Sequence, residues 1–290
     1  MKRLGHHLLR QRRERLRERT LLHLLPNLIT ILGLGAGLTG MRYAFDERWP
    51  VAAALVGVAV LLDGLDGGSA RLLRTQSKLG AQLDSFSDFL SFGVTPAVIV
   101  YLWSLGEVRG IGWALAMLFA TCCALRLARF NVELDQPPKA RWQLHFFKGI
   151  PAPAAAGLAL LPLVGWLATG APWLRSFWIN AAMMVFVAVM MVSRVPTFSI
   201  KRLRIPPDYV VPLLIAAMVV VVFLVTEPWA TLSLIGLAYL FSLPAAVYWA
   251  GRLRAEEEQS RRDHAAGETE APSEGGAEIV PLETKPPRKG

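Results

Sequence analysis

The residues with the most chemical content are four aspartates. They lie in Asp63-Gly-Leu-Asp66-Gly-Gly-Ser-Ala70-Arg71 and in Gly80-Ala-Gln-Leu-Asp84-Ser-Phe-Ser-Asp88. On helices, a spacing of three between Asp63 and Asp66 and of four between Asp84 and Asp88 puts each pair on one face. The hydrophilic link Thr75-Gln-Ser-Lys78 is short enough to make the two helices neighbours with their acidic faces opposed. Four carboxylates so placed repel one another. Two divalent cations would cancel that charge, and ligation by oxygen alone selects magnesium, manganese or calcium over zinc. Gly67 and Ala70 follow Asp63 at four and seven residues, so the acidic face carries little side-chain bulk and something large can approach it. Arg71 closes the segment, as a phosphate-binding cation would. The pattern predicts a two-metal site for a substrate that carries a diphosphate.

The elements that must position these carboxylates are apolar. Of 290 residues, 53% are hydrophobic and 18% charged, with a mean hydropathy of +0.40, which argues against a soluble protein. Stretches near 28–45, 50–72, 80–104, 110–130, 151–168, 174–193, 209–226 and 229–250 are each long enough to be read as a membrane span. Pro26 and Asn27, Pro50, Pro151 and Pro228 punctuate their starts. Lipid offers no partner to an open strand edge, so every span is expected to be helical. The expected fold is therefore an all-α, polytopic membrane helix bundle of about eight transmembrane helices. In that medium a carboxylate is costly, and four together require cations or partners.

Charge sets the expected orientation. With the N-terminus inside, the inner loops receive Arg71, Arg74, Lys78, Arg126, Arg129, Lys139, Arg141, Lys148, Arg194, Lys201, Arg202 and Arg204. The outer side receives only Arg42, Arg48, Arg109 and Arg175. Both termini are then cytoplasmic under the positive-inside rule, and Trp49, Trp103, Trp113, Trp173 and Trp229 fall at outer helix ends as an aromatic belt. Residues 1–25 form a basic cytoplasmic segment, better suited to an anionic lipid surface than to nucleic acid. Residues 252–290, rich in Glu, Gly, Pro and Ser, are expected to be a disordered cytoplasmic tail. Cys122 and Cys123 are adjacent in an apolar run and supply neither a disulfide framework nor a zinc site. The five histidines show no metal-ligand spacing, Met183, Met184, Met190 and Met191 read as an apolar helix surface, and no phosphate loop of P-loop type is found.

The string D-x2-D-G-x2-A-R-x8-G-x3-D-x3-D, carried by Asp63, Asp66, Gly67, Ala70, Arg71, Gly80, Asp84 and Asp88, resembles the signature of the CDP-alcohol phosphotransferases. Flanking strings are similar to the phosphatidylserine synthase branch of that family: Leu25-Pro-Asn-Leu-Ile-Thr30, Leu83-Asp-Ser-Phe-Ser-Asp-Phe-Leu-Ser-Phe-Gly-Val-Thr-Pro96, Ala124-Leu-Arg-Leu-Ala-Arg-Phe-Asn131 and Phe147-Lys-Gly-Ile-Pro-Ala-Pro153. The likeness covers roughly residues 24–205. It implies a catalytic membrane core over 26–205, with two additional and generic helices over 206–251.

The resemblance further implies two ions, Mg2+ or Mn2+, held by Asp63, Asp66, Asp84 and Asp88, with Asp88 also a general base. The donor would be CDP-diacylglycerol, with Asn27, Thr30, Gly67, Ala70, Arg71 and Gly80 around its cytidine diphosphate. The acceptor would be L-serine. Its carboxylate invites a cation, and Arg126 and Arg129, three apart, with Asn131 beyond, could present a guanidinium fork and an amide. Lys148, Arg194 and Lys201 are further candidates for phosphate or headgroup contact. The implied setting is the bacterial cytoplasmic (inner) membrane, with the active site facing the cytoplasm and membrane lipids around a homodimer. Competing readings are a phosphotransferase acting on glycerol 3-phosphate or inositol phosphate, an ion-coupled transporter, and a membrane anchor for nucleic acid. The acids cluster at one end and no half-repeat appears, which disfavours the transporter.

Overall fold

A computed structural model describes residues 25–73, 78–134, 146–193, 196–198 and 209–245, together with positions 248 and 252. The basic N-terminal segment, Arg74, Lys139, Arg141, Arg194, Lys201, Arg202, Arg204 and most of the C-terminal tail lie outside the described residues.

Among the described residues each apolar stretch falls on helix. The elements are α1 (Leu25–Phe45), α2 (Trp49–Leu73), α3 (Lys78–Asp88), a π-helical turn (Phe89–Val94), α4 (Thr95–Trp103), α5 (Arg109–Leu134), α6 (Ala152–Ala159), α7 (Leu161–Thr169), α8 (Phe177–Val192), α9 (Val210–Thr226) and α10 (Pro228–Ala245). Five helices are long and apolar enough to cross a bilayer: α1, α2, the run Leu79–Trp103, the run Leu105–Val132 and α10. A sixth arises if α6 and α7 count as one span, bent by 45°. Sequence reading drew 151–168 as a single span. Pro162, in the first turn of α7, is the reason for the bend, because it has no N–H and its ring crowds the preceding turn. The helices α8 and α9 are shorter, at 16 and 17 residues.

The chain is not helical throughout. Strand β1 (Phe146–Lys148) pairs antiparallel with β2 (Pro196–Phe198), Phe146 opposite Phe198 and Lys148 opposite Pro196. This ribbon ties the start of α6 to the end of α8. No periodicity marks such a short pair, so the all-α expectation missed it. Gly149, just after β1, has φ of +77°, and a Cβ there would come within 2.7 Å of the Met191 carbonyl oxygen.

The core lies between α2, α4, α5, α6 and α8, filled by Trp103, Phe92, Phe119, Ile99, Leu158 and Met184. Met184 and Met191 are buried there, as an apolar surface requires. By contrast α9 buries none of its residues.

A ladder of hydroxyls joins α1 to the run from α3 to α4. Ser87, Ser91 and Thr95, four residues apart, donate to the carbonyls of Thr30, Gly33 and Gly37 at 3.3, 3.5 and 3.3 Å. Close approach is possible because Gly37 has no side chain: a Cβ there would meet Ser91 Oγ at 2.5 Å. In an apolar medium such hydroxyls and small residues replace the hydrophobic effect as the source of helix association.

Candidate active site

The site forms where the C-terminal turns of α2 face the second half of α3. Asp63 and Asp66 stand in the last turns of α2, and Asp84 and Asp88 in the second half of α3, with Asp88 its last residue. One carboxylate oxygen each from Asp63, Asp66 and Asp84 lies within 4.8 Å of the others. The fourth carboxyl, Asp88, shares a hydrogen bond with Asp63 and feels the charges of Asp84 and Asp66. Asp66 is buried, whereas Asp63, Asp84 and Asp88 are half-buried.

Asp66 is held from α1. The Thr30 hydroxyl donates to its Oδ2 at 2.6 Å and lies 3.0 Å from the Pro26 carbonyl. A hydroxyl has one proton, and the shorter contact to the carboxylate is the stronger use of it. Asn27, one turn before Thr30, is half-buried at the same end of the bundle.

The donor set fits a hard divalent ion. Oxygens bound at about 2.0–2.6 Å to one small cation stand roughly 3–5 Å apart, and the three oxygens here meet that spacing. The surface beside them is open: a Cβ added at Gly64, Gly67 or Gly68 would meet nothing within 4 Å. Gly80 stands in the first turn of α3, one turn before Asp84. Ala70 and Arg71 continue α2, but beyond their place on its backbone they lie outside the described residues.

The predicted acceptor residues have separate surroundings. Arg126 turns inward: its Nε is buried without a hydrogen-bond partner among the described residues, and it lies within electrostatic reach of Asp88. Arg129 is exposed and donates through Nη1 to the carbonyl of Val192 at 2.9 Å, closing the end of α8. The two guanidinium groups thus differ in burial and in partner. Asn131 donates to Ser85 Oγ at 2.9 Å, next in sequence to Asp84. Ser85 in turn donates to the Ala81 carbonyl at 3.0 Å. Lys148 sits at the end of β1, with its side chain outside the description.

Sequence reading passed over the hydroxyl ladder. Its signal was present as polar residues at i, i+4 and i+8 in an apolar helix, opposite glycines at 33 and 37. Those hydroxyls matter to the site because Ser87, one residue before Asp88, bonds the carbonyl of the residue that holds Asp66.

Carboxylates gathered at one bundle end, an open glycine face and an inward arginine suit a membrane enzyme that handles phosphate. The family profile described as CDP-alcohol phosphatidyltransferase matches residues 23–193, and one described as CDP-alcohol phosphatidyltransferase 2 matches residues 208–244. The chain belongs to the CDP-alcohol phosphatidyltransferase family. It is 36% identical over 233 residues to the CDP-diacylglycerol–serine O-phosphatidyltransferase of Mycobacterium tuberculosis, covering 78% of this chain and 79% of that protein. The like-named protein of Mycobacterium leprae is 35% identical over 236 residues, 81% of this chain and 78% of its own length. That of Helicobacter pylori is 40% identical over 140 residues, 48% of this chain and 57% of its own.

Proposed function

We propose that this enzyme transfers the phosphatidyl group of CDP-diacylglycerol to the hydroxyl of L-serine, giving phosphatidylserine and CMP. The observation that carries the reading is the convergence of Asp63, Asp66 and Asp84 within 4.8 Å beside open glycine backbone. The names of relatives matched over more than three quarters of the chain support serine as the acceptor.

In this reading Asp63, Asp66, Asp84 and Asp88 hold two ions, Mg2+ or Mn2+. What such ions supply when bound is positive charge against the diphosphate and the departing CMP. Thr30 fixes the rotamer of Asp66, so that one ligand is set before substrate arrives. The glycine face of α2 admits the diphosphate, with Asn27, Ala70, Arg71 and Gly80 around it. Asp88 accepts the proton of the serine hydroxyl as its oxygen attacks phosphorus and the bond to CMP breaks. Direct attack is preferred because, among the described residues, the site offers no obvious nucleophile besides the carboxylates that would hold the ions. Arg126 faces the serine carboxylate, while Asn131 orders the turn between Asp84 and Asp88 through Ser85.

The same reading places the aspartate end of the bundle at the cytoplasmic face of the bacterial inner membrane, with both termini inside and eight crossings. At about 1.5 Å per residue, α8 and α9 would reach roughly 24–26 Å, short but sufficient for a locally thinned bilayer. The catalytic core would span 26–205, the helices of 206–251 would be additional, residues 1–25 would lie on anionic lipid, and 252–290 would be a cytoplasmic tail. The enzyme would work as a homodimer.

The deciding assay gives the purified chain CDP-diacylglycerol with magnesium or manganese, and labelled serine, glycerol 3-phosphate or inositol phosphate in turn. Label entering lipid from serine alone is the expected result. Transfer to a phosphorylated acceptor instead would replace serine, and no transfer to any of them would overturn the reading.

A further inference from the structure

The last helix brings a polar group to this site. On α10, Trp229, Gly236, Tyr239, Leu240 and Leu243 recur at helical spacing, and they pack inward. A Cβ at Gly236 would meet Leu161 Cδ1 at 2.7 Å, while Ser233 Oγ lies 4.0 Å from a Cβ placed on Gly165. Rising numbers on α10 thus face falling numbers on α7, and the two helices run antiparallel. Tyr239 therefore sits beyond Gly236 in the direction of the aspartate end.

There it approaches Arg126. The two side chains interact electrostatically, and Arg126 interacts with Asp88 in the same way. The Tyr239 hydroxyl and Arg126 Nε are both buried, and neither has a hydrogen-bond partner among the described residues. Two neighbouring buried donors left unanswered are costly unless a ligand completes them. An oxyanion accepts from both at once, and its bond to the guanidinium is charge-assisted, whereas an ammonium group accepts from neither.

We propose that Tyr239 and Arg126 together bind the carboxylate of the amino-acid acceptor, which makes α10 part of the acceptor site. This rests on the serine reading above. A carboxylate held by this pair leaves the acceptor's hydroxyl, two carbons away, to reach toward Asp88. Phenol and guanidinium then select an acceptor bearing a carboxylate over a neutral or purely cationic alcohol. The preference is written on a helix outside the segment 23–193 that matches the main family profile.

The test uses the full chain in lipid–detergent micelles with the Tyr239→Phe variant, which keeps the ring and removes only the donor. The expected result is a rise of about 10- to 100-fold in the KM for serine, with the KM for CDP-diacylglycerol within about twofold of the parent and the melting temperature unchanged. An unchanged serine KM, or a rise for the donor instead, would overturn the proposal. Should Tyr239→Phe melt early, Arg126→Lys is read the same way, and equal effects on both substrates would count against it. A parent protein that ignores serine sinks the functional reading and this one together. A parent active on serine with an indifferent Tyr239→Phe sinks this one alone.

Discussion

Thr30 and Asp66, 36 residues apart in sequence, are joined by a 2.6 Å hydrogen bond that runs from α1 to α2 inside the bundle. Asp66 is 4% exposed, and the Thr30 hydroxyl is the side-chain donor the structure gives it. The bond fixes the orientation of the carboxylate before any cation arrives. A neutral donor to a buried carboxylate contributes about 1.5–3 kcal/mol. Thr30→Val keeps the shape and loses the donor, so the metal concentration for half-maximal activity should rise roughly tenfold or more. Thr30→Ser should restore most of it. A metal titration that shows no shift in Thr30→Val would mean that the bond does not prepare the site.

On the proposed reading all four aspartates hold ions and Asp88 serves also as base. Asp63→Asn and Asp84→Asn each remove a ligand charge from the trio, and turnover should fall by about 100-fold or more with a higher metal requirement. Asp88→Asn should abolish turnover while CDP-diacylglycerol binding stays measurable by equilibrium partitioning. Normal turnover in that last variant would remove the base assignment.

How much of this could be read from the chain depended on range. The aspartates were legible because their spacing of three and four is a local property of helices, and because carboxylates are out of place in apolar sequence. The partners that orient them were less so. Ser87, Ser91 and Thr95 are ordinary residues until α1 is laid beside them, and Arg129 looks like Arg126 until α8 ends at Val192 within its reach. Tyr239 lies 113 residues beyond Arg126, a contact that no local periodicity encodes. The break at Leu160 was foreshadowed by Pro162, whereas the ribbon between β1 and β2 had no signal at all.

The contact between α1 and the π-helical turn can be tested with two glycines on the same helix. A Cβ at Gly37 would meet Ser91 at its Oγ, Cβ and Cα, between 2.5 and 3.0 Å, whereas one at Gly35 meets nothing within 4 Å. Overpacking of this kind costs about 1–3 kcal/mol, while Gly to Ala in an open helix position is neutral or gains up to about 1 kcal/mol. Gly37→Ala should therefore lower the melting temperature and Gly35→Ala should not. Equal melting of the two would show that the helices are not this close.

Metal binding should be visible without any turnover. In the bundle three carboxylate oxygens stand within 4.8 Å of one another. The unfolded chain does not hold them together, so a divalent ion binds the folded form preferentially and stabilises it. Linkage gives about 2.7 kcal/mol when the free ion is at 100 times its dissociation constant. Manganese or magnesium should raise the melting temperature of the parent protein in detergent, and a chelator should reverse the rise and stop transfer together. Asp84→Asn, with one ligand charge gone, should lose most of that thermal response. Should it respond to manganese as the parent does, the stabilising ion sits elsewhere, and the acidic cluster is not the place where charge on the diphosphate is met.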